Sequence, residues 1–504
     1  KDRNHKHHEK PGLFRTDTKN NTTIILIDFM NKDIKKQIEE WHESDRHHEI
    51  IDALERIPAE DRDYDIIGSL ARAYNNISAY DKAVELLESI REEGKEDALW
   101  NFRMGYSQYG LDNNTDALWY FNKAYELNPE DEDTRYFIRQ CNIYVPLAGR
   151  VERFWNWFVD NEKKLSEMVH PKTHEEAEMF MAFVREGAAL ISENMNYNIG
   201  GDHEFSFSVE GWPDLFFIYP YIISCMPESL KAKWKFYPFN RGTDAAFGFR
   251  MYGADIDTAQ IMVRESFIES SGNFHISYYA KNLNALSENE SNSAMWVILE
   301  NTLGEGISFK YIDGIERVAE PEDGMIPLPE LRTHIKTTLE SHDRKFFEDP
   351  KQIYSTYRLN PQESDELRHD VIIGSTCLDS VIADYYNDST DIFDHVNSFG
   401  AQVVFIAFPN PDDIDSSDIL KLRHDIEDGL SDEILEPMNL GQVVGGAAGT
   451  ESSYIDLIVY DLITFINVVK PLLAQYPKLS FYLSDFRQHA DLIQLTKATS
   501  STNG

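Results

Sequence analysis

Apolar positions recur along the first third of the chain with a period near 34 residues. Gly105, Ala117, Phe121, Ala124 and Pro129 fall at offsets 0, 12, 16, 19 and 24. Ala71, Ala83, Leu87, Ile90 and Lys95 stand 34 residues earlier, and Ile38, Ile50, Leu54 and Ile57 a further 33 back, with Trp41 matching Tyr74. Between these anchors the apolar residues keep helical spacing: Ile34, Ile38 and Trp41, then Ile50, Ile51, Leu54 and Ile57 before Pro58. The second block pairs Ile67, Leu70, Ala71 and Tyr74 with Ala83, Leu86, Leu87 and Ile90, ending at Gly94; the third pairs Trp100, Met104 and Tyr109 with Leu118, Phe121, Ala124 and Leu127. Small residues fall where two helices must touch and larger ones where a pair packs on its neighbour, so the spacing predicts three stacked helix pairs. A further helix over 132–144, with Tyr136, Phe137 and Cys141, closes the apolar end of the stack. Pro146 and Gly149 mark the boundary.

Beyond it the period changes. Phe154, Trp155, Trp157, Phe158 and Leu165 give an aromatic helix, followed by a second over about 172–195. Phe205, Phe207 and Val209 alternate with polar residues, and 234–239 and 247–252 read as strands. The runs 261–268 and 274–280 predict a hairpin turned at Ser271-Gly272, then a helix over 285–303 and a strand over 307–315. This order suggests an α+β sandwich of antiparallel strands with helices on one face. A charged stretch, 340–349, is the next linker. After it come strands over 367–373, 402–408, 454–460 and 479–483, with helices over 378–386, 393–399, 416–430 and 462–475. Residues 496–504 are polar and are expected to be a disordered tail.

The 34-residue period with its small and large anchors resembles the tetratricopeptide repeat over about 31–143. That resemblance implies that the first helix of each pair lines a groove for an extended peptide or a partner helix. The segments RFWNWFVDNEKKL, WKFYPF and NTLGEGISFKYIDGIERV resemble an uncharacterised bacterial domain over 153–339, which implies no activity. The C-terminal segment is distantly similar, in arrangement and charge, to small acidic bacterial regulators of ribonuclease activity. The expected fold is multidomain: all-α tetratricopeptide-like helical repeats over 30–148, then two α+β (mixed α/β) domains over 150–340 and 350–495. Residues 1–29 are set aside as a leader or disordered segment, since their apolar run, 23–29, is too short for a signal-peptide core.

A chain of 504 residues carrying 48 basic and 87 acidic side chains has a formal charge of −39. Such a charge repels nucleic-acid backbones and anionic membrane surfaces and attracts a basic protein partner, or serves solubility alone. Cys141, Cys225 and Cys377 lie far apart with no metal-ligand spacing. A reducing bacterial cytoplasm is the expected compartment, with neither metal nor cofactor.

The groove positions implied by the resemblance are Lys35 and Glu39, then Arg72, Asn75 and Asn76, then Phe102, Tyr106 and Tyr109. Asn side chains can bind a peptide backbone, Arg72 can pair with a carboxylate, and the aromatic rings offer flat apolar surface. The competing reading buries this face against the rest of the chain or a second copy. Basic residues are too few for the carboxylate-clamping subgroup of the family. A second cluster, Arg241, Asp244, Arg250, Asp255 and Asp257, lies among Gly242, Gly248 and Gly253. It could hold an anion and a proton as a pocket, or merely shape turns between strands. Gly445, Gly446 and Gly449 lack the ending of a phosphate loop and are read as a flexible turn before the strand at Tyr454. Arg368-His369-Asp370 and Arg423-His424-Asp425 are read as chance or surface charge pairing. The leading expectation is a regulatory protein that docks a polypeptide through its repeats. The rivals are a hydrolase or transferase using Arg250 to Asp257, an inhibitor or immunity-type protein masking a basic toxin or nuclease, and a self-assembling scaffold.

Overall fold

The computed structural model describes residues 36–362, 364, 366–411 and 415–499. The expected leader, 1–29, and Lys35 lie outside the described residues. The chain divides into two compact units, one ending at Cys141 and the other starting at Asn142. It is helical first and mixed helix and sheet afterwards. Among the described residues no helix is long and apolar enough to cross a membrane.

The first unit contains α1 (36–43), α2 (His47–Leu54), α3 (Tyr64–Asn76), α4 (Tyr80–Ser89), α5 (Arg91–Gly94), α6 (Ala98–Gly110), α7 (Asn114–Leu127) and the start of α8 (Glu132–Tyr144). Three-residue connections join α1 to α2, α3 to α4 and α6 to α7, so each pair is a tight helical hairpin. Each connection turns on one left-handed residue: Asp45, Ser78 and Asp112, with φ of 54°, 60° and 60°. These lie 33 and 34 residues apart, so the backbone repeats with the period of the apolar anchors. The anchors do the packing expected of them. Ala71, Ala83, Leu87, Ala117 and Phe121 are fully buried. A Cβ on Gly105 would stand 2.9 Å from the Phe121 ring, which is why the smallest residue sits at that crossing. Trp100 locks the second and third pairs together by donating its indole N–H to Leu87 O at 3.1 Å.

The second unit opens with α9 (Leu147–Met168) and α10 (His174–Ala188), followed by β1 (Tyr197–Gly200), β2 (Glu204–Phe207), α11 (Leu215–Ser224), α12 (Glu228–Lys231) and β3 (Lys235–Tyr237). Next come the hairpin β4 (Gly248–Met251) and β5 (Ala254–Asp257), then β6 (Ile261–Ile268), β7 (Asn273–Ala280), α13 (Glu288–Leu303), α14 (Glu305–Tyr311), β8 (Ile312–Arg317), β9 (Ile326–Pro327) and α15 (Leu331–Ser341). These strands form separate sheets, β1-β2-β3, β4-β5 and β8-β7-β6-β9. The expected all-antiparallel pairing is corrected at two ladders, because β2 pairs β3 and β7 pairs β8 in parallel. The helices α11 to α12 and α13 to α14 fill those connections, giving the chain the length a parallel crossover needs. The strand expected over 307–315 is also corrected. Gly304, at φ 91°, ends α13, and residues up to Tyr311 form α14 before β8 begins.

The remainder contains β10 (Ser355–Arg358), β11 (Val371–Thr376), α16 (Asp379–Asn387), α17 (Asp391–Ser398), β12 (Gln402–Pro409), α18 (Ser416–Leu430), β13 (Gly441–Gly449), β14 (Ser452–Val459), α19 (Leu462–Leu473), β15 (Phe481–Asp485) and β16 (Leu492–Thr496). They build an antiparallel seven-stranded sheet, β10-β11-β13-β14-β12-β15-β16. β12 is buried on both faces, as its unbroken apolar run requires. Val404, Ile406 and Phe408 meet Ile426 and Leu430 of α18 and Phe465 and Val469 of α19. Val403, Phe405 and Ala407 share the opposite core with Phe154, Trp155 and Phe158 of α9 and with α11 and α17. Residues on both sides of the linker expected at 340–349 therefore build one core. Tyr460 seals it by donating its hydroxyl to Phe217 O at 2.8 Å. Residues 256–339 keep a core of their own.

The glycine run expected to be a flexible turn is instead the central strand β13, paired to both β11 and β14. A Cβ on Gly445 would stand 2.5 Å from Ser375 O, and one on Gly446 would be 2.8 Å from Tyr454 O. Neighbouring backbones approach too closely here for any side chain.

Candidate functional site

The inner helices of the first unit, α1, α3 and α6, carry a groove of about 670 Å3. Its lining includes Arg72, Asn75 and Asn76 of α3, Leu99, Phe102, Arg103 and Tyr106 of α6, and Phe137 of α8. On α6, positions 99, 102, 103 and 106 share one helical face, which delivers an aliphatic, two aromatic and one cationic side chain together. The aromatic wall is ordered by edge contacts: the Phe137 ring lies 5.9 Å from Phe102, 5.2 Å from Tyr106 and 5.4 Å from Tyr109. Leu99 is 51% exposed at the rim, and Arg72 and Asn76 face solvent.

The expected groove residues separate into different roles. Arg72, Asn76, Phe102 and Tyr106 line the groove, and Tyr109 backs its aromatic wall against Phe137. Asn75 is corrected from ligand contact to structural tie, because its amide is already committed. Its Nδ2 donates to Arg103 O at 3.0 Å and its Oδ1 accepts from Ser107 Oγ at 2.8 Å, binding α3 to α6. Glu39 lines a neighbouring recess together with His42, Arg72 and Arg103.

Arg103 and His42 were not singled out in the sequence, and both are electrostatically unusual. Burial, and next the Arg72 charge, hold the Arg103 guanidinium down to about 10. Burial first, then Arg72, His47 and Arg103, push the His42 ring down to about 4. On the recess wall Asp97 is already engaged: it accepts from the Tyr64 hydroxyl at 2.6 Å and caps α6 through Leu99 N at 3.0 Å.

No family model and no curated protein matches this chain.

In the second unit the residues of the other expected pocket do not converge. Arg250 and Asp255 face each other across β4 and β5 at 3.8 Å with side chains 72% and 90% exposed, a solvated surface pair. Asp257 caps the short turn after β5 through Ala259 N at 3.0 Å. Arg241 lies over the Tyr237 ring and lines a different cleft, bounded by β3, the start of α14 and Arg332 of α15. Gly242, at φ 73°, is required there because a Cβ would meet the Thr302 carbonyl. Among the described residues no group of three or more acidic, His or Cys side chains could hold a metal.

The tripeptides read as surface charge are corrected too. Arg368 is fully buried, paired through Nη1 and Nη2 with Asp456 at 2.5 and 3.2 Å. Phe486, Tyr454 and Phe405 surround its guanidinium. Arg423 is buried over β13, where Gly446 leaves it room. A second buried pair, His395 Nδ1 to Asp214 Oδ2 at 2.9 Å, sits under the stacked Trp212 ring.

Proposed function

We propose that the first unit is a tetratricopeptide-type stack that docks an extended polypeptide along its inner groove, as part of a bacterial cytosolic regulatory protein. The observation that carries this reading is the lining itself. Elsewhere in the unit the large apolar residues of the hairpins are buried against one another, whereas Leu99, Phe102, Tyr106 and Phe137 line open space beside Arg72 and Asn76. Apolar side chains of a ligand would pack on this wall while Asn76 and Arg72 satisfy its polar groups. The helices are already braced by Asn75 and Trp100, so binding would order little of the receptor. The overall charge of −39 would hasten the approach of partners with a basic surface and make association sensitive to salt.

A displayed library of random peptides, selected on the whole protein, tests the reading. Selected peptides should lose at least tenfold in affinity for Leu99→Ser and for Tyr106→Ala, consistent with roughly 1.4 kcal/mol at an interface anchor. Trp119→Ala, at an exposed position on α7, should leave their affinity unchanged. Failure to enrich any peptide, or equal binding to all three variants, would remove the groove from consideration.

A further inference from the structure

Beside the aromatic wall the groove continues into a recess of about 290 Å3 bounded by α1, α3 and α6. Each of these inner helices contributes one nitrogen-bearing side chain: His42, Arg72 and Arg103. Arg103 Nε and both ring nitrogens of His42 are buried without a hydrogen-bond partner. Among the described residues neither Arg72 nor Arg103 has an acidic group within ion-pair distance, in a chain where acids outnumber bases by 87 to 48. Every group facing the recess can be named. Glu39 comes from α1, His47 from α2, Tyr64, Asp65 and Arg72 from α3, and Asp97 and Arg103 from α6 and its cap. Asp97 is held by Tyr64 and by the α6 backbone, and so does not neutralise the arginines. A guanidinium drawn partly out of water with no counter-charge costs free energy that a bound anion would recover.

We infer that this recess receives a carboxylate side chain of the docked polypeptide between Arg72 and Arg103, and that His42 takes up a proton as the carboxylate enters. The inference rests on the groove reading and adds to it the chemistry of one ligand side chain. The proton coupling follows from the local field. In the empty recess burial and two neighbouring guanidinium groups hold the ring neutral, with its pKa near 4. A carboxylate cancels that field, so the imidazole gains a proton and becomes a further donor to the same anion. The complex then carries more bound protons than the free protein, and affinity rises as pH falls. If the anion restores the ring to about 6, affinity should increase roughly tenfold between pH 8 and pH 5.

Calorimetric titration of the whole protein provides the test, in paired buffers of different ionisation heat so that proton uptake is counted directly. Two probes separate the possibilities. Sodium sulfate is titrated against sodium chloride of equal ionic strength, and acetyl-Glu-Phe-Glu-amide is compared with acetyl-Gln-Phe-Gln-amide. Sulfate and the Glu peptide should bind with close to one proton taken up near pH 5.5. Arg72→Gln and Arg103→Gln should each weaken them at least tenfold, and Arg72→Gln, at an exposed position, keeps the test valid if Arg103→Gln unfolds. His42→Gln should retain binding but lose both the proton uptake and the pH dependence. Binding without proton uptake, or indifferent to both arginines, overturns the inference. Equal affinity for the Gln and Glu peptides also overturns it while leaving the groove intact. Sulfate binding with neither peptide bound keeps an anion recess but removes its polypeptide ligand, and with it the inference.

Discussion

Arg368 in the second unit and Arg103 in the first are both withdrawn from water, yet their surroundings could hardly differ more. Arg368 lies between aromatic rings with Asp456 across both terminal nitrogens and the Tyr357 hydroxyl at 3.1 Å. Arg103 has Gly68 beneath it and Arg72 as a charged neighbour, with no acid in reach. A buried cation with a fitted partner belongs to the fold, because removing the partner strands a charge in the core. A cation left without one is tolerated only where something else gains from it. The contrast is sharpest at Asp456→Ala, which should destabilise the second unit by about 3–5 kcal/mol. Replacing both partners by apolar residues, Arg368→Met with Asp456→Leu, should recover much of that loss. Denaturant unfolding followed by tryptophan fluorescence checks both, and a loss under 1 kcal/mol for Asp456→Ala would contradict the assigned role.

The two units should also respond to pH in opposite directions. Burial, then Glu305 and Glu210, raise the Glu300 carboxyl to about 7. Its folded value lies above its unfolded one, so its contribution is complete below about 4.5 and is lost as pH rises through about 7. His42 is the reverse case. Its folded value, about 4, lies below the unfolded 6.5, so stability present above 6.5 is lost as pH falls toward 4. Between pH 5 and pH 8 the second unit should therefore gain from acid what the first loses. Each effect should reach roughly 1 kcal/mol after screening by solvent, or about 2 °C in midpoint. Glu300→Gln should flatten the profile of the second unit and His42→Gln that of the first, as read by differential scanning calorimetry. Parallel slopes in the two variants would show that other groups dominate.

The two regions were not equally legible in the sequence. In the first unit the anchors at Ala71, Gly105 and Phe121 read directly, because one pattern of small and large residues recurs at each hairpin. The hairpin 261–268 with 273–280 was equally plain, since strand alternation and Gly272 agree on its turn. Residues 215–224 gave no such signal. LFFIYPYIIS is apolar on every side, and a helix buried all round has no amphipathic period to detect. The strand β13 was hidden for another reason. Glycine ordinarily marks a turn, and only the closeness of β11 and β14 shows why it stands in a strand. The binding groove was half visible. Arg72, Asn76, Phe102 and Tyr106 follow from helical position, but Asn75 is adjacent to Asn76 and only the structure turns one inward and the other out. His42 and Arg103 carry no motif, and their significance lies in what does not surround them.

That absence leads to the smallest and most discriminating effect. Arg103→Met retains an aliphatic stem over Gly68 and removes a guanidinium that lacks a partner. If Arg103 served the fold, the substitution would destabilise the first unit, as truncating Asp456 does the second. If it is held ready for an anion, the empty protein is relieved of an uncompensated charge. Stability should then rise by on the order of 0.5 kcal/mol while binding of the Glu peptide falls. The two measurements must move in opposite directions on the same variant. A residue that stabilises its unit and also binds the ligand would lower both, so a drop in midpoint alongside lost binding would return Arg103 to the company of Arg368.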